Sequence, residues 1–121
     1  MAERQITGRC GYHAGLAAED GVAQDYARRG YPLLAQRWRG HAGEIDLVVA
    51  DGDGVIIVEV KKSRSFSRAA ERLSQRQIGR LMRAGEEFLG TRPRGSLTDI
   101  RFDLALVDGH GAIRVIENAF L

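Results

Sequence analysis

Hydrophobic positions recur along this chain in two alternating rhythms. From about His13 to Arg29, Leu16, Val22, Ala23, Tyr26 and Ala27 fall largely three and four apart, as on one helical face. Gly30 then stands where a left-handed residue closes a helix. The rhythm shortens after it. A short strand is expected over Pro32 to Arg39, then two strong ones, Glu44 to Ala50 and Val55 to Lys61, flanking Asp51-Gly52-Asp53-Gly54. β-Branched runs around such a turn predict a hairpin. Helical spacing returns over Arg68 to Leu89 and stops at Gly90, with Gly79 and Gly85 inside it each weakening the helix by about 1 kcal/mol relative to Ala. Arg101 to Asp108 and Ala112 to Asn118 read as two further strands around Asp108-Gly109-His110-Gly111. The order α-β-β-β-α-β-β predicts an α/β fold, one mixed sheet flanked by helices. Residues 1–12, with Gly8 and Gly11, read as a flexible lead-in to a single domain over 13–121.

The first hairpin gathers chemistry. With an even loop, Ala50 faces Val55, Val48 faces Ile57, Asp46 faces Glu59 and Glu44 faces Lys61. Alternation then sets Ile45, Leu47, Val49, Ile56, Val58 and Val60 on one buried apolar face. Asp46, Glu59, Lys61 and Glu44 gather on the other, at the end remote from the turn. An odd loop without a bulge would mix the two faces, so the polarity pattern selects the even register.

Carboxylates directly opposed across a sheet repel unless something compensates. A divalent cation does so, and oxygen ligands suit Mg²⁺ or Mn²⁺, which keep waters and share phosphate oxygens with a substrate. An ammonium two residues from Glu59 would orient an attacking water or balance charge on a phosphorane. The plain alternative is a salt-bridged strand face without metal, with Glu44 and Asp46 paired to Lys61. Glu19 adds a third acid. It lies on the core-facing stripe of the first helix, where an unpartnered carboxylate is expensive. Either an arginine pairs with it, or it reaches the Asp46/Glu59 cluster as a metal-site or water-orienting group.

Charge distribution changes the picture more than its total. Eighteen basic and sixteen acidic residues give a formal net charge of +2. Between Lys61 and Arg94, however, ten cations face only three acids. Counted from Arg68 at ~100° per residue, Arg72, Arg76, Arg80 and Arg83 fall at about 40°, 80°, 120° and 60°, opposite the apolar residues of the same helix. Such a stripe suits phosphate contacts that position a nucleic acid without reading its sequence. Lys62, Arg64 and Arg68 continue it toward the acidic cluster. The lone Cys10 excludes an internal disulfide, and no run approaches the ~20 apolar residues of a membrane span. With no apolar signal core in the first residues, a cytoplasmic protein without a membrane partner is expected. Three scattered histidines lack zinc-ligand spacing.

Gly15-x-x-x-Glu19, Arg29-Gly30-Tyr31, Trp38-Arg39, Gly43-Glu44-Ile45-Asp46-Leu47, Val58-Glu59-Val60-Lys61, Arg101-Phe102-Asp103 and Asn118-Ala119-Phe120 occur in that order. Together they resemble the small bacterial YraN-type family, related to archaeal Holliday-junction resolvases within the PD-(D/E)xK nuclease superfamily. The resemblance spans about Gly15 to Phe120. It implies a restriction-endonuclease-like fold, with Glu19, Asp46, Glu59 and Lys61 matching the catalytic pattern residue by residue. On that basis Asp46, Glu59 and Glu19 would hold Mg²⁺ or Mn²⁺, Lys61 would stabilise developing charge, and Glu44 would back up Lys61. The expected activity is metal-dependent phosphodiester cleavage in branched or structured DNA, with a non-catalytic nucleic-acid-binding module as the alternative. Paired cuts at a junction would call for a homodimer. Two departures stand out: Ile45 replaces the proline of the superfamily motif, and Ser74-Gln75-Arg76-Gln77 stands where relatives tend to have a lysine-led helix start.

Overall fold

Strand pairing runs without interruption through β1 (Leu33–Arg39), β2 (Glu44–Asp51), β3 (Gly54–Lys62), β4 (Ile100–Val107) and β5 (Ile113–Ile116), which form one sheet in chain order. The computed structural model describes residues 2–120, with side chains from Gly15 onward. All neighbours are antiparallel except β3 and β4, which are parallel. Parallel neighbours need a crossover, and α2 (Phe66–Glu71), α3 (Gln75–Leu89) and a short 3₁₀ turn at Gly95–Leu97 supply it. The remaining helix, α1 (Ala2–Arg28), precedes the sheet. This is the mixed α/β arrangement expected from the sequence.

Both sheet faces are covered. Leu47, Val49, Ile56 and Val58 pack with Ala18, Val22 and Tyr26 of α1. Val48, Val55 and Ile57 pack with Leu81, Ala84, Phe88 and Leu89 of α3. The second face is therefore apolar along most of its length, and polar residues hold only the end remote from the turn. Gly85 makes α3's close approach feasible, because a Cβ there would lie 2.8 Å from the Phe102 ring. That close approach offsets the propensity lost by placing glycine inside a helix.

The hairpin has the even register, with Asp51 opposite Gly54, Ala50 opposite Val55 and Val48 opposite Ile57. It ends at Leu47 and Val58. Beyond that point the Val60 amide donates to Asp46 Oδ2 at 2.8 Å, so a side chain replaces the strand carbonyl. Strict alternation fails here. Ile45 packs with Val48 and Leu81 on the α3 side rather than sharing a face with Leu47. An irregularity of this kind re-aims side chains next to a site.

Two helix boundaries differ from the sequence expectation. α1 begins at Ala2 instead of near His13, so residues 2–12 lie within it. Its end is as expected: Tyr31 N–H donates to Tyr26 O and Gly30 N–H to Ala27 O, the paired bonds of a Schellman stop. The long basic helix is broken. Arg72, Leu73 and Ser74 separate α2 from α3, and Ser74 and Gln77 cap each other's backbone amides reciprocally. That capping box starts a new helix and takes Arg68 and Arg72 out of helical register with Arg76, Arg80 and Arg83.

Candidate functional site

A cavity of about 380 Å³ opens where β2 and β3 part. α1 contributes Glu19 to its wall, β2 contributes Asp46, and β3 contributes Glu59, Lys61 and Lys62. Arg72, released by the helix break, also lines it and donates from Nη1 to the Lys62 carbonyl at 2.9 Å. Gly15 forms part of the α1 wall with nothing within 4 Å of where its Cβ would stand. A side chain there would grow into the cavity. The four residues expected to carry chemistry, Glu19, Asp46, Glu59 and Lys61, are thus brought to one place.

Each acid is held differently. Glu59 lies 3.5 Å from Lys61 Nζ, both side chains being largely buried. Burial pushes the Glu59 carboxyl up to about 8, hydrogen bonding and repulsion from Asp46 push the same way, and Lys61 only partly opposes them. Glu19 is also raised, mainly by burial and further by Asp46, against an opposing Arg37. Its carboxylate receives both arms of that arginine, Nε at 3.0 Å and Nη2 at 3.2 Å. Asp46 spends Oδ2 on the Val60 amide.

Arg37 was not visible as a site residue in the sequence. It lies in β1 between Gln36, opposite Leu47, and Trp38, opposite Ile45, so it falls level with Asp46. Its φ is +52°, a left-handed conformation inside a strand. That conformation costs on the order of 1–2 kcal/mol for a residue with a Cβ. The bend lets consecutive side chains, Gln36 on Asp20 and Arg37 on Glu19, both reach α1. No periodicity or motif signals such a residue.

Glu44 pairs with Arg39 at 3.3 Å. It also lines a smaller cavity of about 190 Å³ with Glu59, Gln77 and Arg80, on the α3 side. No Glu44–Lys61 ion pair occurs among the described residues. Arg76, Arg80 and Arg83 stand exposed along α3, Arg68 is exposed on α2, and Arg64 is exposed in the connecting loop. Arg80 crosses Gly43, whose φ is +150° and where a Cβ would sit 2.9 Å from Arg80 Cδ. Glu87 of α3 accepts the His41 amide at 2.7 Å and the Ala42 amide, fixing the β1–β2 loop. Trp38 packs edge-on against Phe88, with ring centroids 5.3 Å apart. Among the described residues no three acidic, histidine or cysteine side chains form a ready metal cage. With Glu19 turned to Arg37, Asp46 and Glu59 are the acids left to hold an ion. No described helix is long and apolar enough to cross a membrane.

Fold and cavity together define a small mixed-sheet α/β domain with an acid-and-lysine pocket where its central hairpin opens. The family model described as "Uncharacterised protein family UPF0102" matches residues 18–107, and the chain belongs to that family, the YraN type. It is 58% identical over 107 residues to a UPF0102 protein of Ruegeria pomeroyi, covering 88% of this chain and 87% of that one. It is 55% identical over 116 residues to one from Roseobacter denitrificans, covering 96% and 90%. A Cereibacter sphaeroides relative is 54% identical over 115 residues, covering 95% and 98%.

Proposed function

We propose that this protein is a metal-dependent endonuclease acting on branched or otherwise structured DNA. The observation that carries this reading is the convergence of Asp46, Glu59 and Lys61 on one cavity whose rim is basic. Mg²⁺ binds through one or two carboxylates, retains waters and shares phosphate oxygens. The Asp46/Glu59 pair fits that requirement without a third acid, and Mn²⁺ suits the same oxygens. Such an ion supplies Lewis acidity toward a phosphoryl oxygen and lowers the pKa of bound water. The protein's own groups do the rest. Lys61 offsets negative charge developing on the phosphate. Glu19, steadied by Arg37, stands on the opposite wall and orients water. Lys62 and Arg72 hold the backbone entering the cavity, while Arg64, Arg68, Arg76, Arg80 and Arg83 carry neighbouring phosphates by charge and not by sequence.

The test is cleavage of linear, nicked, flap and four-way DNA with and without Mg²⁺ or Mn²⁺. Nicking or resolution should require the ion and stop in EDTA. Asp46→Asn and Glu59→Gln should each lose at least about 10²-fold, the scale of removing one charge-stabilising group. Activity surviving both substitutions, or persisting in EDTA, overturns the mechanism.

The Arg37 grip on Glu19 favours a second reading, a nucleic-acid-binding module that keeps the nuclease architecture without cutting. It predicts salt-sensitive DNA binding, lost on neutralising Arg76, Arg80 and Arg83, with no product from any substrate. Two-site resolution would also require a homodimer, which sedimentation in the presence of a four-way junction would reveal.

A further inference from the structure

Glu59 lines two cavities. One is the acidic cavity, and the other, of about 190 Å³, opens on the α3 side between Glu44, Gln77, Arg80 and Leu81. A single side chain thus stands between them. The smaller cavity falls below the ~300–1,000 Å³ of a site for a drug-sized ligand, so it admits one small ring system and not a whole nucleotide. Its walls are set before anything binds. The Ser74 amide donates to Gln77 Oε1 at 3.0 Å, which fixes the side-chain amide with Nε2 as the unspent end. Among the described residues, the only side-chain polar atoms both sealed from solvent and unpartnered are Arg92 Nε and Thr98 Oγ1. Gln77 Nε2, which has no acceptor there, is therefore open to solvent. Arg80 is exposed, with its stem against Gly43, where a Cβ would stand 2.9 Å from Arg80 Cδ and 3.1 Å from Cγ. Its guanidinium makes no ion pair or hydrogen bond among the described residues. Glu87 locks the loop before Gly43 by accepting the His41 and Ala42 amides.

The chemistry of these walls selects a neutral, planar ligand. A phosphate entering here would meet two carboxylates, Glu44 and Glu59, against one guanidinium. A nucleobase meets complementary partners instead. Gln77 Nε2 donates to a ring nitrogen or carbonyl, and the Glu44 carboxylate, whose Oε2 alone is taken by Arg39, accepts from an amino or imino N–H. Leu81, 4% exposed, offers an apolar surface, and the Arg80 guanidinium is a plane on which a base stacks. Such a base must be unpaired, because the wall takes the edge that pairing would use. Unpairing costs least where a branch already leaves a base single. We propose that this cavity takes one unpaired base of a branched DNA, from the nucleotide next to the phosphate held in the acidic cavity. The proposal rests on the DNA reading above and adds the feature that marks the branch. Gln77 and Arg80 become specificity-determining residues, and Arg80 is set apart from Arg76 and Arg83, which meet phosphates only.

The test is binding of the full chain to two flap DNAs by fluorescence anisotropy, in EDTA so that no cut intervenes. The flaps are identical except that the first unpaired nucleotide carries its base in one and is abasic in the other. The base-bearing flap should bind about tenfold more tightly, within what stacking of one base contributes. Arg80→Lys keeps the charge but removes the plane, and should cut that ratio to about threefold or less. Gln77→Glu keeps the acceptor of the capping box and removes the donor, so the ratio should fall while the melting temperature holds. Equal affinity of the wild-type chain for both flaps overturns the pocket and leaves the DNA reading standing. So does a ratio that stays tenfold in both variants, or an Arg80→Lys chain that weakens on both flaps alike, since the arginine would then act by charge alone. Failure to bind any DNA overturns the DNA reading and the pocket with it. A tenfold ratio that falls in the variants, in a chain that never cuts, upholds the pocket and favours the binding module over the nuclease.

Discussion

Two sets of buried carboxylates are treated in opposite ways. Asp103, on β4, is fully buried yet surrounded by donors: Tyr26 Oη at 2.7 Å, Arg101 Nε and Nη2 at 2.9 Å each, and the Asn118 amide at 3.0 Å. Its partners respond, with the Arg101 and Tyr26 pKa values both pushed upward by the aspartate and, for Tyr26, first of all by burial. In the cavity, Glu59 and Glu19 are buried with too little compensation, and their pKa values rise. Asp103 is thus a structural anchor, tying α1, β4 and the C-terminal turn together. The cavity acids are held in a state that a cation would relieve. Burial alone distinguishes nothing; the supply of donors does.

The contrast can be broken most severely at the anchor. Asp103→Ala strands the Arg101 guanidinium and the Tyr26 hydroxyl, and should cost about 3–5 kcal/mol in urea unfolding, as for other broken buried ion pairs. The cavity should behave in the opposite sense. Glu59 has a folded-state pKa above its unfolded value, so the folded protein binds the extra proton. The contribution of Glu59 to the stability of the metal-free chain is then full below the unfolded value near 4.5 and is lost as pH rises through about 8. Glu59→Gln should flatten that decline and raise stability at pH 9 relative to the wild type in urea unfolding. A wild-type profile that rises between pH 5 and 8 would refute this assignment.

Arg37 sharpens the comparison at intermediate size. Arg37→Met removes the cation from Glu19, whose carboxyl should titrate still higher by ¹³C NMR, with a loss of about 1–2 kcal/mol near neutral pH. Arg37→Gly removes the same charge but accepts φ +52°, and should be the more stable of the two by about 1 kcal/mol. Tyr26→Phe should matter least, about 1 kcal/mol, because Asp103 keeps its other donors.

The hairpin register could be read from polarity, since an odd loop without a bulge would have set Asp46 beside Val58 or Val60 and mixed the two faces. Glu19 could be placed on the core-facing stripe of the first helix from its spacing to Leu16, Ala23 and Tyr26, and it is buried there. Ser74-Gln75-Arg76-Gln77 held the capping box that divides the basic helix, but continuous arginine spacing masked it. The switch of Ile45 to the α3 side was not legible, because it depends on a carboxylate taking a strand amide. The left-handed turn of Arg37 was equally hidden, being imposed by tertiary packing on a residue with no such preference. The Arg101–Asp103 pair, two residues apart on one strand, is a finding of the structure.

One consequence follows from the bond between the Val60 amide and Asp46 Oδ2. The two oxygens of this single carboxylate have different employers: one is a rivet in the sheet, the other faces the cavity. An alanine at 46 would therefore unzip the end of the hairpin as well as remove charge, and its inactivity would be ambiguous. Asparagine, with its carbonyl turned to Val60, preserves the rivet and deletes only the charge. In a small domain whose candidate site begins where its sheet stops, the isosteric amide is the substitution that tells architecture from charge.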